Sequence, residues 1–229
     1  MRLAIVIPTY NERENIKRLI LKILKLNIDL EIIVVDDNSP DQTFNVVQDL
    51  KNAYGHIHLI CRKQDPGRGF AGVAGFKYAL SLDVHYIMEM DADLSHDPVF
   101  IPNFLETIKY ADVVIGSRFV KGSKDERRNI LRRIISIFAN FYLRVTLRVP
   151  VRDCTSGYRC FKREVLAAID LDSLHSPGPS IVEEILYRCK RFTIREIPIR
   201  FMDRPAGISK LSLKKLLYCL MIPWLVHRK

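Results

Sequence analysis

The stretch LAIVIPTYNE, residues 3–12, decides the fold, because five apolar residues run directly into a polar turn. Leu3 to Ile7 has the length and composition of a buried β-strand. The apolar residues between Ile16 and Leu24 then recur at the spacing of one helix face. We interpret Asn11 and Glu14 as a capping box that starts this helix. The chain therefore opens with a strand, a polar turn and a helix.

The same alternation continues downstream. Apolar runs predict strands at 32–35, 58–61, 86–90, 113–115 and 193–201, and helical periodicity predicts helices at 41–53, from the glycines of 67–69 to about 82, and at 100–108. Alternating strands and helices indicate an α/β fold with a mostly parallel, twisted sheet and helices on both faces. Such sheets bind ligands at the carboxyl ends of their strands.

The length and composition of the chain limit its number of domains and its classes of partner. The 229 residues, 48% of them hydrophobic, suffice for one α/β domain of ordinary size. A net charge of +10 favours polyanionic partners, whether nucleic acid, phosphorylated small molecules or anionic lipid. The five cysteines lack C-x-x-C spacing, so we expect a reduced, cytosolic setting without a zinc site. No charged-then-apolar leader precedes the first strand, so we expect no signal peptide.

The predicted strand ends are unusually polar. Asp91 and Asp93 follow one strand, and Asp36 and Asp37 follow another. The first pair could reach one divalent cation, and carboxylate oxygens favour Mg²⁺ or Mn²⁺. The motif by itself is equally compatible with a cap on the next helix. The second acidic pair favours the cation, since clustered carboxylates are costly unless a cation or ligand compensates them.

Five motifs resemble those of family 2 inverting glycosyltransferases, most closely the dolichyl-phosphate (polyprenyl-phosphate) mannose synthases. In chain order they are PTYNE at 8–12, VVDDNS at 34–39, DADLSH at 91–96, GSR at 116–118 and DCTSGYR at 153–159. The resemblance implies a GT-A fold, a nucleotide-sugar donor such as GDP-mannose, Mg²⁺ or Mn²⁺, and a polyprenyl (dolichyl) phosphate acceptor. It also implies inversion at the anomeric carbon.

The resemblance also implies roles for individual residues. It assigns the donor base and ribose to Pro8, Tyr10, Glu12 and Asp37, and the metal and diphosphate to Asp91, Ala92 and Asp93. Ser95 stands where some relatives have glutamine, so water is expected as a further metal ligand. Asp65 and Arg68 stand where many relatives have lysine and leucine, which leaves open the basic group that approaches the donor. Gly67 and Gly69 suit either a turn or a phosphate contact.

The segment 127–148 is predicted to form an apolar helix. Every fourth position carries a polar residue, namely Arg132, Ser136, Asn140, Arg144 and Arg148. The pattern alone fits a core helix with a basic edge, or a helix that meets lipid while its arginines hold phosphate. The resemblance favours the second interpretation and implies that Arg132, Ser136 and Arg118 grip phosphate. Asp153 is expected to orient Arg159, to meet that phosphate, or to fix its loop. His96 is expected to start a helix.

The C-terminal part resembles the family in its loop RPAGISKL, residues 204–211, where Arg204 and Lys210 are expected to close over the donor diphosphate. We assign residues 1–212 to the catalytic domain and 213–229 to an amphipathic segment at the membrane interface. That segment is too short to span a bilayer. We therefore expect membrane association at the cytoplasmic face, through this segment or a membrane-anchoring partner subunit.

We therefore expect transfer of mannose from GDP-mannose to a polyprenyl phosphate. A phosphate acceptor is already anionic and needs no general base. The alternatives are glucose transfer from UDP-glucose to the same lipid and transfer to a non-lipid acceptor. A dinucleotide-dependent oxidoreductase is disfavoured because no G-x-G-x-x-G follows the first strand. No nucleic-acid partner is expected, because the basic residues alternate with apolar ones.

Overall fold

We describe the protein from a computed structural model. It describes residues 1–127 and 129–202, together with residues 221, 223 and 224. Arg204 and Lys210 lie outside the described residues, as does nearly all of the segment 213–229. The roles expected of them therefore stay predictions.

Strands and helices alternate through the first half of the chain, as the sequence pattern predicts. The strands are β1 Leu3–Thr9, β2 Leu30–Asp36, β3 Ile57–Cys61, β4 Tyr86–Glu89, β5 Val113–Ser117, β6 Lys124–Asp125, β7 Arg159–Lys162, β8 Ile194–Pro198 and β9 Arg200–Phe201. The helices are α1 Arg13–Leu24, α2 Thr43–Ala53, α3 Arg68–Ser81, α4 Ile101–Thr107, α5 Ile130–Leu147, α6 Arg163–Ala167 and α7 Ile181–Arg188.

Seven strands form one sheet in the order β3-β2-β1-β4-β7-β5-β8. All neighbouring pairs are parallel except the two made by β7, which runs antiparallel between β4 and β5. The predicted mostly parallel sheet is thus confirmed. The antiparallel strand was not predicted, because its sequence RCFK places two apolar residues between two basic ones and forms no apolar run. Strands β6 and β9 form a separate parallel pair.

Alternating residues of β1 pack into two different cores. Leu3, Ile5 and Ile7 face the side covered by α1, where Ile16 and Leu19 are fully buried. Ala4 and Val6 face the side covered by α3. Both faces of the sheet are therefore apolar, and the polar chemistry of these strands is confined to their ends.

Three local predictions were wrong in detail. Asn11 does not cap α1; it has a left-handed φ of 55°, its amide donates to the Ser39 hydroxyl, and Glu12 is the N-cap. The predicted strand 193–201 is two strands, β8 and β9, which belong to different sheets. The helix expected to start at Asp41 starts at Thr43, whose amide is accepted by the Asp41 carboxylate.

Within the described residues, no helix is both long and apolar enough to cross a membrane. The longest, α5, has 18 residues and carries three arginines.

Candidate active site

Three polar loops meet at one edge of the sheet. β1 lies between β2 and β4 and is parallel to both, so the residues that follow these strands emerge side by side. Thr9 at the end of β1 is level with Asp36 at the end of β2. The loops at 8–12, 36–39 and 91–96 are therefore brought together, as the sequence predicts.

The side chain of Asp36 links the end of β1 to the loop 36–39. Its buried carboxylate accepts hydrogen bonds from the Thr9 hydroxyl at 2.9 Å and from the Ser39 amide and hydroxyl at 2.9 and 2.6 Å. These donors satisfy the carboxylate without a cation. The sequence argument that this acidic pair requires an external ligand was therefore wrong for Asp36.

Asp37 points toward the loop before α3. Its carboxylate pairs with Arg62 at 2.6 Å and accepts the Gly67 amide at 2.7 Å. A Cβ at Gly67 would lie 2.3 Å from the Pro177 carbonyl oxygen, and one at Gly69 would lie 2.0 Å from the Ser176 carbonyl oxygen. Both glycines thus serve close packing against the segment before α7.

The other residues predicted for the donor base and ribose lie at the same edge. Tyr10 is exposed and Pro8 half-buried. The Glu12 amide donates to the Thr43 hydroxyl, and its carboxylate accepts from the Asn15 side chain at 2.9 Å. The first contact joins the start of α1 to the start of α2, and the second lies within the start of α1.

The DAD motif is held in a tight turn. Asp93 is buried and accepts hydrogen bonds from the Ser95 amide at 3.1 Å and the Ser95 hydroxyl at 2.6 Å. Asp91 is 37% exposed, and the Arg68 Nη2 atom lies 3.0 Å from its Oδ1. Ala92 between them is buried. Ser95 therefore shapes the turn around Asp93, a role that its position in the sequence does not reveal.

Neither acidic residue of this motif caps the helix that follows. The short 3₁₀ helix Pro98–Phe100 is capped by Asp97, whose carboxylate accepts the Val99 amide. The helix-cap alternative for Asp91 and Asp93 is thereby removed, and so is the helix-start role expected of His96.

His96 instead contacts the backbone of the acidic turn. Its Nδ1 atom accepts the Asp91 amide at 3.0 Å, and its ring stacks on Tyr158 with centroids 4.9 Å apart. Burial lowers the pKa of His96, against the charges of Asp91 and Asp93, which raise it. A neutral imidazole in this position orients the Asp91 backbone.

Arg118 is bound by two oxygens of Asp153. Its Nε and Nη2 atoms lie 2.7 and 2.6 Å from Oδ2 and Oδ1, and Nη2 also donates to the Thr155 hydroxyl at 2.6 Å. Burial raises the pKa of Asp153, but the adjacent guanidinium overcomes this and holds the pKa below its usual range. Asp153 therefore orients an arginine, but that arginine is Arg118 rather than Arg159, and Asp153 also accepts the Thr155 hydroxyl within its own loop.

Helix α5 is tied to the same loop. The Asn140 amide group donates to the Thr155 hydroxyl at 3.1 Å, and its carbonyl oxygen accepts the Thr155 amide at 3.2 Å. Asn140 also donates to the Ser136 carbonyl oxygen, one turn earlier. Arg132, a further turn away, is exposed. The polar stripe of α5 is therefore exposed at Arg132 and is buried at Asn140, where it contacts the loop that holds Arg118.

Most of the apolar side chains of α5 are exposed to solvent. The exposed apolar residues are Ile130, Leu131, Ile134, Ile135, Ile137, Phe138, Phe141 and Val145. Trp224 lies beside them, because its indole nitrogen donates to the Tyr142 hydroxyl at 3.2 Å. An apolar surface of this extent marks a site of contact with another molecule or a membrane.

The comparisons with known proteins agree with this geometry. The sheet and its loops define a GT-A fold, and 99% of the chain superimposes with a TM-score of 0.68 on 78% of a solved Mycobacterium tuberculosis glucosyl-3-phosphoglycerate synthase in complex with Mn²⁺ and UDP-glucose, at 20% identity. The model of glycosyl transferase family 2 matches residues 4–170. The chain belongs to this family and is a glycosyltransferase.

Two curated relatives are similar to this chain over most of its length. An undecaprenyl-phosphate mannosyltransferase of Micrococcus luteus is 36% identical over 93% of this chain and 88% of its own length. A dolichol-phosphate mannosyltransferase of Pyrococcus furiosus is 39% identical over 93% of this chain. The match spans 60% of that archaeal protein.

Proposed function

We propose that this chain transfers mannose from GDP-mannose to a polyprenyl phosphate, with inversion, and releases GDP. The names of the two relatives support the sugar and the acceptor. The observation that carries the proposal is the continuous polar path from Arg118 through Thr155 and Asn140 to the stripe of α5. It joins a glycosyltransferase site to an exposed apolar surface, which suits an acceptor with a phosphate head and a hydrocarbon tail.

We propose that Asp91 and Asp93 hold Mg²⁺ or Mn²⁺. Two carboxylates, one exposed to the site and one buried, offer the hard oxygen ligands that these cations prefer. The described residues include no group of three potential metal ligands, so phosphate oxygens of the donor and water would complete the coordination. The cation would supply neutralisation of the charge on the departing diphosphate.

The reaction we propose needs no proton transfer. An oxygen of the acceptor phosphate attacks the anomeric carbon, a new carbon–oxygen bond forms, and the bond to the GDP phosphate oxygen breaks. The protein aligns the two reactants and stabilises their charges. The donor base and ribose lie against Pro8, Tyr10, Glu12 and Asp37. His96, with its Nδ1 atom held by the Asp91 amide, orients the acidic turn and abstracts no proton.

On the acceptor side, we propose that Arg132 and Ser136 bind the lipid phosphate, with Arg118 beside them. Arg118 supports this arrangement through its bond to Thr155. The exposed apolar face of α5 then meets the hydrocarbon region of the membrane surface, and the protein associates with the cytoplasmic face. Residues 213–229 or an anchoring partner subunit add to this attachment.

We further propose that Arg204 and Lys210 close over the donor diphosphate and exclude water. Arg204→Ala and Lys210→Ala are then expected to lower transfer strongly while thermal stability stays near that of the parent protein. An equal loss of stability would assign both residues a structural role.

The decisive experiment supplies each radiolabelled nucleotide-sugar together with a polyprenyl phosphate and measures label in the organic phase. We expect label from GDP-mannose, none after addition of EDTA, and recovery with Mn²⁺ or Mg²⁺. If only UDP-glucose gave label in the organic phase, the donor would be UDP-glucose and not GDP-mannose. Labelling of the free polyprenol at a comparable rate would overturn the phosphate acceptor, because the mechanism has no base to activate a hydroxyl.

A further inference from the structure

A cluster of three charged side chains lies at the acidic turn, with Glu89 buried and Arg68 and Asp91 partly exposed. Arg68, the first residue of α3, reaches Asp91 Oδ1 with Nη2 at 3.0 Å and Nε at 3.3 Å. Its third nitrogen, Nη1, lies 3.3 Å from Oε1 of Glu89, the last residue of β4. One guanidinium thus bridges two carboxylates that are two residues apart in the sequence.

The surrounding backbone leaves room for this pair. A Cβ at Gly157 would lie 2.4 Å from Arg68 Nη2, and a Cβ at Gly72 would lie 2.8 Å from Glu89 Oε1. The Glu89 side chain is 2% exposed. Glu89 is therefore enclosed and Arg68, at 22% exposed, is partly so, in a cleft that larger residues at these two glycines would fill.

The two contacts of Arg68 differ in quality. The Asp91 contact has hydrogen-bond geometry, whereas Arg68 Nη1 and Glu89 Oε1 make no hydrogen bond within the described part of the chain, although they are close. A small rotation of the guanidinium toward Glu89 would give both atoms a partner. Glu89 is therefore an unsatisfied acceptor beside an arginine whose other bonds are made to the proposed metal ligand.

We propose that Arg68 is a positioning residue that competes with the divalent cation for the Asp91 carboxylate, and that Glu89 accepts the guanidinium when a cation binds. This inference rests on the proposed cation site at Asp91 and Asp93. Two positive groups cannot share one carboxylate oxygen without strong repulsion. The donor diphosphate carries negative charge that offsets this repulsion, so cation and donor bind together.

The consequence is a weak cation site in the protein alone. Arg68 keeps Asp91 neutralised until the donor arrives, which limits loading of the site by a cation without substrate. Because arginine stays protonated at every accessible pH, the competition does not depend on its titration.

The test measures Mn²⁺ binding to the protein without donor, by the electron paramagnetic resonance signal of free Mn²⁺. Replacing both charges, in Arg68→Met/Glu89→Met, keeps the net charge and releases Asp91, so we expect Mn²⁺ to bind about tenfold more tightly. Glu89→Gln removes the negative charge that would draw Arg68 away and leaves Arg68 on Asp91, so we expect weaker Mn²⁺ binding. Lys77→Met, on the same helix but paired with exposed Asp172, is the control and is expected to leave the affinity unchanged.

A parallel arm separates this inference from the proposed function. Asp93→Asn is expected to lose Mn²⁺ binding; if it binds as the parent protein does, the cation site itself is misassigned. If Asp93→Asn loses binding while the double variant and Glu89→Gln both match the parent protein, the role of Arg68 is overturned and the cation site stands. Thermal unfolding checks each variant, and the isosteric Glu89→Gln carries the test if the double variant does not fold.

Discussion

The donor edge and helix α5 are built in opposite ways. At the donor edge the carboxylates of Asp36 and Asp93 are buried and hydrogen-bonded by other side chains or amides. Helix α5 exposes large apolar side chains such as Phe138 and Phe141 over most of its length. Its Asn140 region enters the polar network, through Thr155.

The difference indicates whether the contacts that stabilise each region lie within the chain or outside it. A network of buried hydrogen bonds is complete within the folded chain and fixes geometry before any ligand arrives. An exposed apolar face gains its stabilisation only from a surface outside the chain. Changes at the donor edge should therefore affect chemistry, and changes on α5 should affect acceptor and membrane binding.

The largest effect is expected at the donor edge. Asp93→Asn keeps the shape of the turn and removes a charged metal ligand, so transfer should fall by about a thousandfold or more. Initial rates at saturating acceptor measure this loss. Ser95→Ala is the matched control on the same turn, since it removes only a hydrogen bond to Asp93, and its loss should be far smaller. Equal losses would assign Asp93 a structural role.

The next effect concerns the polar end of α5. Arg132→Ala should raise the KM for polyprenyl phosphate, or lower kcat, by roughly ten- to a hundredfold, because one charged hydrogen bond to phosphate is lost. Donor binding, measured separately by titration with GDP, should stay nearly unchanged.

Arg144→Ala, on the same helix but three turns away, is the control and should have little effect on transfer. If Arg132→Ala weakens GDP binding as strongly as acceptor use, Arg132 contributes to donor binding and is not specific to the acceptor.

A smaller effect is expected on the apolar face. Phe138→Ser/Phe141→Ser should weaken binding to liposomes by about tenfold, since apolar area that would enter the lipid is removed. Stability should change little, because both rings are already exposed. Sedimentation with liposomes gives the bound fraction. Val99→Ser, an exposed apolar residue elsewhere, should bind as the parent protein does; equal weakening would mean that α5 is not the contact surface.

The smallest effect is a pH dependence within the buried cluster behind the donor edge. Burial raises the pKa of Glu183 from its ordinary value to about 7. A raised carboxyl pKa gives stability that is present below the unfolded value and is lost as the pH rises to about 7. Relative to the parent protein, Glu183→Gln should therefore gain on the order of 1 kcal/mol in unfolding free energy between pH 5 and pH 8.

Chemical denaturation at the two pH values measures this difference. Glu184→Gln is the neighbouring control, although it also weakens the contacts to the His175 and Ser176 amides, so only its pH dependence is compared. The same stability difference at both pH values would mean that Glu183 is ionised throughout.

Much of the fold could be predicted from local patterns. The period of the apolar residues identified β1, β2 and β4, and the parallel order followed from their alternation with helices. The PTYNE, DDNS and DAD loops could be assigned to one edge because they follow strands of a parallel sheet. Strand β7 could not, since its sequence RCFK has only two apolar residues between two basic ones and forms no apolar run.

The sequence by itself determined which residue types stand at the strand ends, and the tertiary structure decided which of them pair. Asp91 pairs with Arg68, 23 residues away, and Arg118 with Asp153, 35 residues away. Sequence motifs identified Asp91 and Asp93 but gave no reason to join Arg68 to Glu89. Periodicity and turn signals act over a few residues, whereas these ion pairs depend on the order of strands in the sheet, which brings distant residues into one cleft.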